Sequence, residues 1–365
     1  MQVLIIGAGP GGLALAQQLK QRNIESLILD KSDRVGNTFY TMAANTTYGP
    51  WLNNRMPDGP VRVTRLLSRT RREQYAEYLA EYAVKHDLDF RTGVTVQSVR
   101  KHPAGFELET DQGPFVCSLL VNASGYFSKP YVPEIPGATQ SSVPQLHSSE
   151  FKGVHTVRTL LGKNRGRVLV VGGRLSAGET MAALHYAGYK VTISHGKPID
   201  FFPPTIFELC MAPLTQVMEG IRVRIPGTTT PWNLNVRMNG DDHRKMIESG
   251  EVPLVPEIAR FEGETLVFTD GRQDHFDLVI YATGYRPALD HLAGLVTVDP
   301  ETNRPPLKAM ESTEAPGLFF LGLIGLRTFR SQFLRGLRDD SRVLAKTLES
   351  RLATLPAPAR DLATA

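Results

Sequence analysis

The run Gly7-Ala8-Gly9-Pro10-Gly11-Gly12 limits this chain's fold more than any other stretch. It follows Val3–Ile6, a short apolar run with β-branched residues that reads as a buried parallel strand. Gly12, Leu15, Ala16 and Leu19 then fall at i, i+3, i+4 and i+7, one face of a helix. Leu27–Leu29 is a second apolar run, closed by Asp30. The pattern is GxGxxG between a strand and a helix, with an acid 18 residues beyond the last glycine (30 − 12). In such a unit Gly7 permits the tight turn, Gly9 lets the backbone approach a diphosphate, and Gly12 lets helix and sheet pack closely.

The helix start supplies unpaired N–H groups and the positive end of a dipole, so the turn is built for a dinucleotide. Asp30 accepts hydrogen bonds from ribose hydroxyls and repels a 2′-phosphate, which suits FAD or NAD. Pro10, Gly11 and Lys31 complete this expected cofactor site.

A second start appears about 165 residues later (168 − 3). Val168–Val171 leads into Gly172-Gly173-Arg174-Leu175-Ser176-Ala177. Ala177 is tolerated at the third glycine place, but Arg174 stands where the second glycine belongs. Either Arg174 folds outward or grips a phosphate itself, or this half has lost its nucleotide and remains as structure. After Lys190–Ile193 come His195 and Lys197. A cation there favours a 2′-phosphate, hence NADPH; the alternative is a solvated loop. No short internal repeat is evident.

Composition removes several classes. Of 365 residues 41% are hydrophobic and 21% charged, enough for real cores. The net charge of +4 is scattered, apart from Arg65, Arg69, Arg71 and Arg72, so a nucleic-acid partner is not expected. The two cysteines, Cys117 and Cys210, form no CxxC, which excludes a disulfide framework and a thioredoxin-like dithiol. His and Cys show no metal-ligand spacing, no GxSxG elbow is present, and no P-loop appears. No run has the 18–20 apolar residues of a membrane span, and the apolar N-terminus lacks a basic leader, so a cytoplasmic protein without a membrane partner is expected.

Several strings together resemble the class B flavin monooxygenases, the flavin-containing monooxygenase family. They are VLIIGAGPGGL at 3–13, ASGYFSKPYVPEIPG at 123–137, LHSSEF at 146–151, VLVVGGRLSAGE at 168–179, YATGYRP at 281–287 and GLFFLG at 317–322. The resemblance implies an α/β fold with two Rossmann-like dinucleotide-binding domains, the NAD(P)H domain inserted into the FAD domain. The expected division is 1–155 for the first FAD part, 156–275 for the NAD(P)H domain with the irregular segment 199–255, 276–355 for the second FAD part, and a flexible tail at 356–365. The resemblance further implies FAD and NADPH as cofactors, O2 capture as a flavin hydroperoxide, and transfer of one oxygen to a small-molecule substrate. The HSxxF ending resembles the heteroatom oxygenases, hence oxygenation at nitrogen or sulfur. The rival readings are a flavin oxidase or dehydrogenase with a degenerate nicotinamide half, and a non-catalytic flavin-binding redox sensor. The sequence leaves homodimerisation open.

The family fingerprint FxGxxxHxxx(Y/F) lands on 141–151, with His147 and Phe151 in place but Ser141 and Val143 where Phe and Gly belong. His147 couples domain movement to cofactor binding, or is a hydrogen-bonded loop histidine. Thr283 and Gly284 mark the return of the chain to the FAD domain; Gly125 and Gly322 are expected near the same cofactor. Asn53, and next Asn54, stand where relatives carry an Asn near the flavin; the alternative is a polar loop pair. From Thr38 to Leu67 a long loop is expected. A helix over 332–348 should present Gln332, Phe333 and Leu334 to the flavin ring, where an amino-terminal dipole stabilises negative charge. Phe201, Phe202, Phe207 and Trp232 line a substrate pocket or pack a core.

Overall fold

A computed structural model describes residues 1–42, 47–59, 68–201, 238, 240–300, 304–324 and 326–355. Two parallel sheets organise them. The first has the order Leu307–Lys308, Glu311–Ser312, Leu318–Phe320, Leu119–Asn122, Val3–Ile6, Ser26–Asp30, Phe90–Thr92. Its last five members run parallel; the two short ones at the other edge are antiparallel. The second sheet is Gln145–His147, Leu278–Tyr281, Arg167–Val171, Lys190–Ser194, Leu254–Val255, all parallel. This is a mixed α/β fold, as the glycine turns require.

Val3–Ile6 is wholly buried because it sits mid-sheet with both faces covered. Side chains alternate across a strand, so Val3 and Ile5 join one core while Leu4 and Ile6 join another. The first core lies under the helices Pro10–Lys20, Arg72–Lys85 and Leu334–Thr354. The second lies under the antiparallel strands Val96–His102, Gly105–Thr110 and Phe115–Cys117. Arg167–Val171 repeats the device, with Val168 and Val170 on the helix side and Leu169 towards the meander Ile258–Glu262, Thr265–Phe268, Gln273–His275.

The chain passes between the sheets twice. Lys129–Pro130 on the way out pairs antiparallel with Tyr285–Arg286 on the way back. The expected long loop is more structured than its composition suggests. Asn37–Thr41 is helical, Thr47–Pro50 pairs with Arg69–Arg71, and Trp51–Asn54 is a short helix. The final helix begins at Leu334 rather than 332 and runs on to Thr354. Phe329–Gln332 winds as a 3-10 turn instead, fixed by reciprocal bonds between Thr328 and Ser331. Among the described residues, no helix is long and apolar enough to cross a membrane. Phe202, Phe207, Trp232, Cys210 and the tail 356–365 lie outside the described residues.

Candidate functional site

The first glycine turn has the required shape. Gly7 has φ +113°, and a Cβ there would lie 2.5 Å from the Ala123 carbonyl oxygen. At Gly12 a Cβ would lie 2.0 Å from the carbonyl oxygen of Gly7. Both glycines are therefore demanded by the protein itself. Gly9 is different: its backbone is extended and a Cβ would meet nothing within 4 Å. The space above Gly9 is open. Pro10 opens the helix, with no side-chain cap and no acid in its first turn, so the amino-terminal N–H groups stay available to an anion. Gly11 packs on Leu321 and Leu337. Asp30 Oδ2 accepts the Ala8 N–H at 2.6 Å and Oδ1 accepts that of Ser32 at 2.8 Å, so the acid also braces the turn. Lys31 beside it is exposed. Gly125 and Gly322 both have positive φ and face each other over open space, a Cβ on Gly322 lying 4.0 Å from Gly125 Cα. These positions all lie at the carboxyl ends of parallel strands, where ligands of open α/β sheets bind. The residues fit FAD.

The second turn copies the first. Gly172 has φ +134° and a Cβ there would lie 2.5 Å from the Ala282 carbonyl oxygen, as at Gly7 and Ala123. Gly7 N–H bonds Leu29 O at 2.7 Å; Gly172 N–H bonds Ser194 O at 2.9 Å. That register makes His195 the counterpart of Asp30. The flanking sequences recur too, Ala123-Ser124-Gly125-Tyr126 against Ala282-Thr283-Gly284-Tyr285. This corrects the expectation of no short repeat; the copies are four residues long and widely separated, too little for a periodic pattern. Arg174 holds the extended backbone of Gly9 and, like it, precedes a helix with no side-chain cap. The arginine therefore imposes no strain, and it is exposed, as are Ser176 and Lys197. Ala177 is fully buried in the place of Gly12. Gly173 leaves room for the His195 ring, which a Cβ would approach to 2.4 Å. Burial, with Arg174 and Lys197 nearby, holds His195 below the ordinary histidine range against the pull of Glu257, so the cations here are Arg174 and Lys197. Burial holds the half-buried Tyr126 phenol above its ordinary range, against the pull of Arg174, Arg304 and Arg286 nearby.

His147 is 2% exposed. Its Nε2 lies 2.9 Å from Gly284 O, and its Nδ1 accepts the Ser149 N–H at 3.1 Å. It stacks edge-on against Tyr285 at 5.0 Å. Gly284 O also accepts the Tyr131 N–H at 3.0 Å, while Thr283 Oγ1 donates to Tyr131 O. His147 thus ties the connecting segment to the crossing ribbon. Burial lowers its pKa, opposed by the Gly284 carbonyl and Glu150.

Asn53 and Asn54 ride on a segment held by tyrosines of the helix Arg72–Lys85. Tyr78 Oη accepts the Met56 N–H at 3.0 Å, and Tyr82 Oη donates to Pro57 O at 2.7 Å. Asn54 is buried and donates to Thr70 Oγ1 at 3.2 Å; Asn53 is half-exposed. Gln332 closes the 3-10 turn, Phe333 lies under the Arg335 guanidinium at 4.0 Å, and Leu334 packs on the first core.

The protein-family model for the pyridine nucleotide-disulphide oxidoreductases matches residues 4–215, more than half of the chain. The chain belongs to this family. Among curated proteins it is 26% identical to an uncharacterized CzcO-like oxidoreductase of Geobacillus kaustophilus, over 94% of this chain and 97% of that protein. It is 27% identical to an indole-3-pyruvate monooxygenase of Oryza sativa subsp. japonica, over 78% and 76%. Among solved structures, a flavin-containing monooxygenase from Stenotrophomonas maltophilia superposes with TM-score 0.79 at 21% identity, covering 96% of this chain and 98% of that one. A bacillithiol disulfide reductase from Bacillus cereus gives 0.72 at 23%, covering 96% and 99%. Family membership makes the chain an oxidoreductase, with FAD and NADPH as the cofactors implied. This member carries no CxxC, and Cys117 is fully buried with its thiol pushed up to about 12 by burial.

Sequence reasoning missed Arg286, Arg304 and Tyr126. The repeated Ala-(Ser/Thr)-Gly-Tyr was the available signal for Tyr126 and its neighbours.

Proposed function

We propose that this chain is an FAD-dependent monooxygenase that uses NADPH and O2 to place one oxygen atom on a small molecule, at nitrogen or sulfur. Bound FAD would supply electron transfer and O2 activation. NADPH gives two electrons, one oxygen atom goes to the substrate, and the other leaves as water. The chain's own residues bind and orient. The turn at Gly7–Gly12 holds the FAD diphosphate, with Asp30 on the adenosine ribose. The turn at Gly172–Ala177, with Arg174 and Lys197, holds NADPH. His147 and Thr283 fix the ribbon between the two halves, and Asn53 presents its amide to the reacting groups. The corresponding division is FAD-binding over 1–155 and 276–355, with NADPH-binding over 156–275.

The observation that carries this reading is the second turn. Gly172 repeats the close approach of Gly7, and Arg174 takes the backbone of Gly9 without strain. That supports a working second nucleotide site rather than a relic. Cys117, buried in a sheet and far above its ordinary pKa, weighs against disulfide reduction. A second reading keeps one support: exposed Arg174 at the closest approach suits a flavin oxidase whose nicotinamide half is unused. Turnover under isotopically labelled O2 separates them. A monooxygenase product gains one labelled oxygen and consumes NADPH in equal amount. An unlabelled product with stoichiometric peroxide overturns the proposal.

A further inference from the structure

Three guanidiniums gather where the segment after Trp51–Asn54 meets the C-terminal helix. Arg55 follows the short helix, Arg338 stands early in Leu334–Thr354, and Arg330 lies on the preceding turn. The two helices pack against each other. Arg330 Nη1 donates to Asp339 Oδ2 at 3.1 Å, so the local carboxylate is already engaged. Arg55 Nε is buried with no hydrogen-bond partner among the described residues. Arg338 is half-buried, and its proton affinity is lowered first by burial and then by repulsion from Arg55 and Arg330, with Asp339 and Tyr75 opposing. Three positive charges against one negative leave a surplus of two in a partly desolvated place. A buried donor without an acceptor and a like-charge cluster are both unfavourable alone, and an anion relieves both.

The position says which anion. Leu337 packs towards Gly11 of the first dinucleotide turn. Successive helical residues point about 100° apart, so Arg338 leaves that face, and the charges of Arg55 and Arg330 act on it. The cluster therefore lies beside the Asn53–Asn54 segment, which Arg55 directly follows and which packs on the same helix. We infer that Arg55 and Arg338, backed by Arg330, form a docking site for the carboxylate of an anionic substrate, beside Asn53 and Asn54. A planar guanidinium matches a carboxylate in two parallel bonds, which suits orientation as well as affinity. This rests on the reading of the chain as a monooxygenase of small molecules.

The test uses oxidised, FAD-loaded protein and two probes of one shape, phenylacetate and phenylacetamide. Calorimetry and perturbation of the flavin spectrum report binding without turnover. The expected result is phenylacetate bound at least about tenfold more tightly than the amide. Arg338→Gln and Arg55→Gln should each weaken phenylacetate about tenfold or more and leave the amide unchanged, and Arg338→Lys should restore part of the loss. Equal affinities, or no binding of either probe, overturn the site. Loss of FAD from the Gln variants, with phenylacetate affinity per remaining flavin unchanged, assigns the cluster to the cofactor and also overturns it. NADPH reduction is measured separately. A carboxylate preference that depends on these arginines supports the site even where NADPH fails to reduce the flavin; reduction without that preference sinks the site and leaves the enzyme reading standing.

Discussion

His147 Nε2 sits 2.9 Å from the carbonyl oxygen of Gly284, 137 residues away in sequence. That bond joins the outgoing connection to the returning ribbon, so its loss should loosen how the two nucleotide turns face each other. His147→Ala should lower stability by about 1–3 kcal/mol, because it removes a buried ring with its bond to Gly284 O and leaves the Ser149 N–H without its acceptor. It should also slow flavin reduction by NADPH without lowering FAD content. Denaturant titration and stopped-flow reduction measure the two effects.

The glycines separate folding from binding. Gly7→Ala places a methyl 2.5 Å from the Ala123 carbonyl oxygen at φ +113°, and should cost on the order of 1–3 kcal/mol or prevent folding. Gly9→Ala adds a Cβ that meets no protein atom within 4 Å and should fold normally while weakening FAD binding. Thermal melting with flavin quantification distinguishes them.

Arg174 tests the departure in the second motif. It shares its surroundings with Arg286 and Arg304 around Tyr126. Arg174→Gly should therefore raise the KM for NADPH about tenfold, the loss of one charge-assisted phosphate bond. A lower KM would mean that the side chain obstructs the site.

Stability should depend on pH through His291. Burial pushes its pKa to about 4, and its Nε2 contacts Asn122 Oδ1 at 3.0 Å. A base with a depressed folded pKa stays neutral in the native state while the unfolded chain takes up the proton. Stability is thus full above the ordinary histidine pKa of about 6.5 and falls as pH drops towards 4, by on the order of 3 kcal/mol. His147 and His195 shift in the same direction. His291→Gln should flatten that slope in urea titrations between these limits.

Much of the fold was legible because the glycine turns are short-range devices. Gly12 is dictated by a contact within its own strand–turn–helix unit, while Gly7 and Gly172 are dictated by the carbonyls of Ala123 and Ala282 at the ends of neighbouring strands; the local pattern nonetheless suffices to find all three. His147 was legible as a residue but not as a role, since its partner Gly284 is brought close only by the crossing ribbon. The stretch from Thr38 to Leu67 read as loop because the order of its described part comes from outside: Tyr78 and Tyr82 on a distant helix hold Met56 and Pro57. Nothing in the sequence joins Arg55 to Arg338 for the same reason, since only packing of two helices brings their segments together. The start of the last helix was misplaced because the bonds between Thr328 and Ser331 stabilise a 3-10 turn where helix propensity alone predicts continuation.

The most direct measurement is anaerobic mixing of the FAD-loaded protein with NADPH, following the visible flavin band. Two working dinucleotide turns predict rapid bleaching by NADPH, faster than by NADH, and return of colour on admitting O2. A flavin that neither nicotinamide bleaches, or folded protein that refuses FAD altogether, would contradict the pairing of Gly7–Gly12 with Gly172–Ala177 on which the proposed chemistry depends.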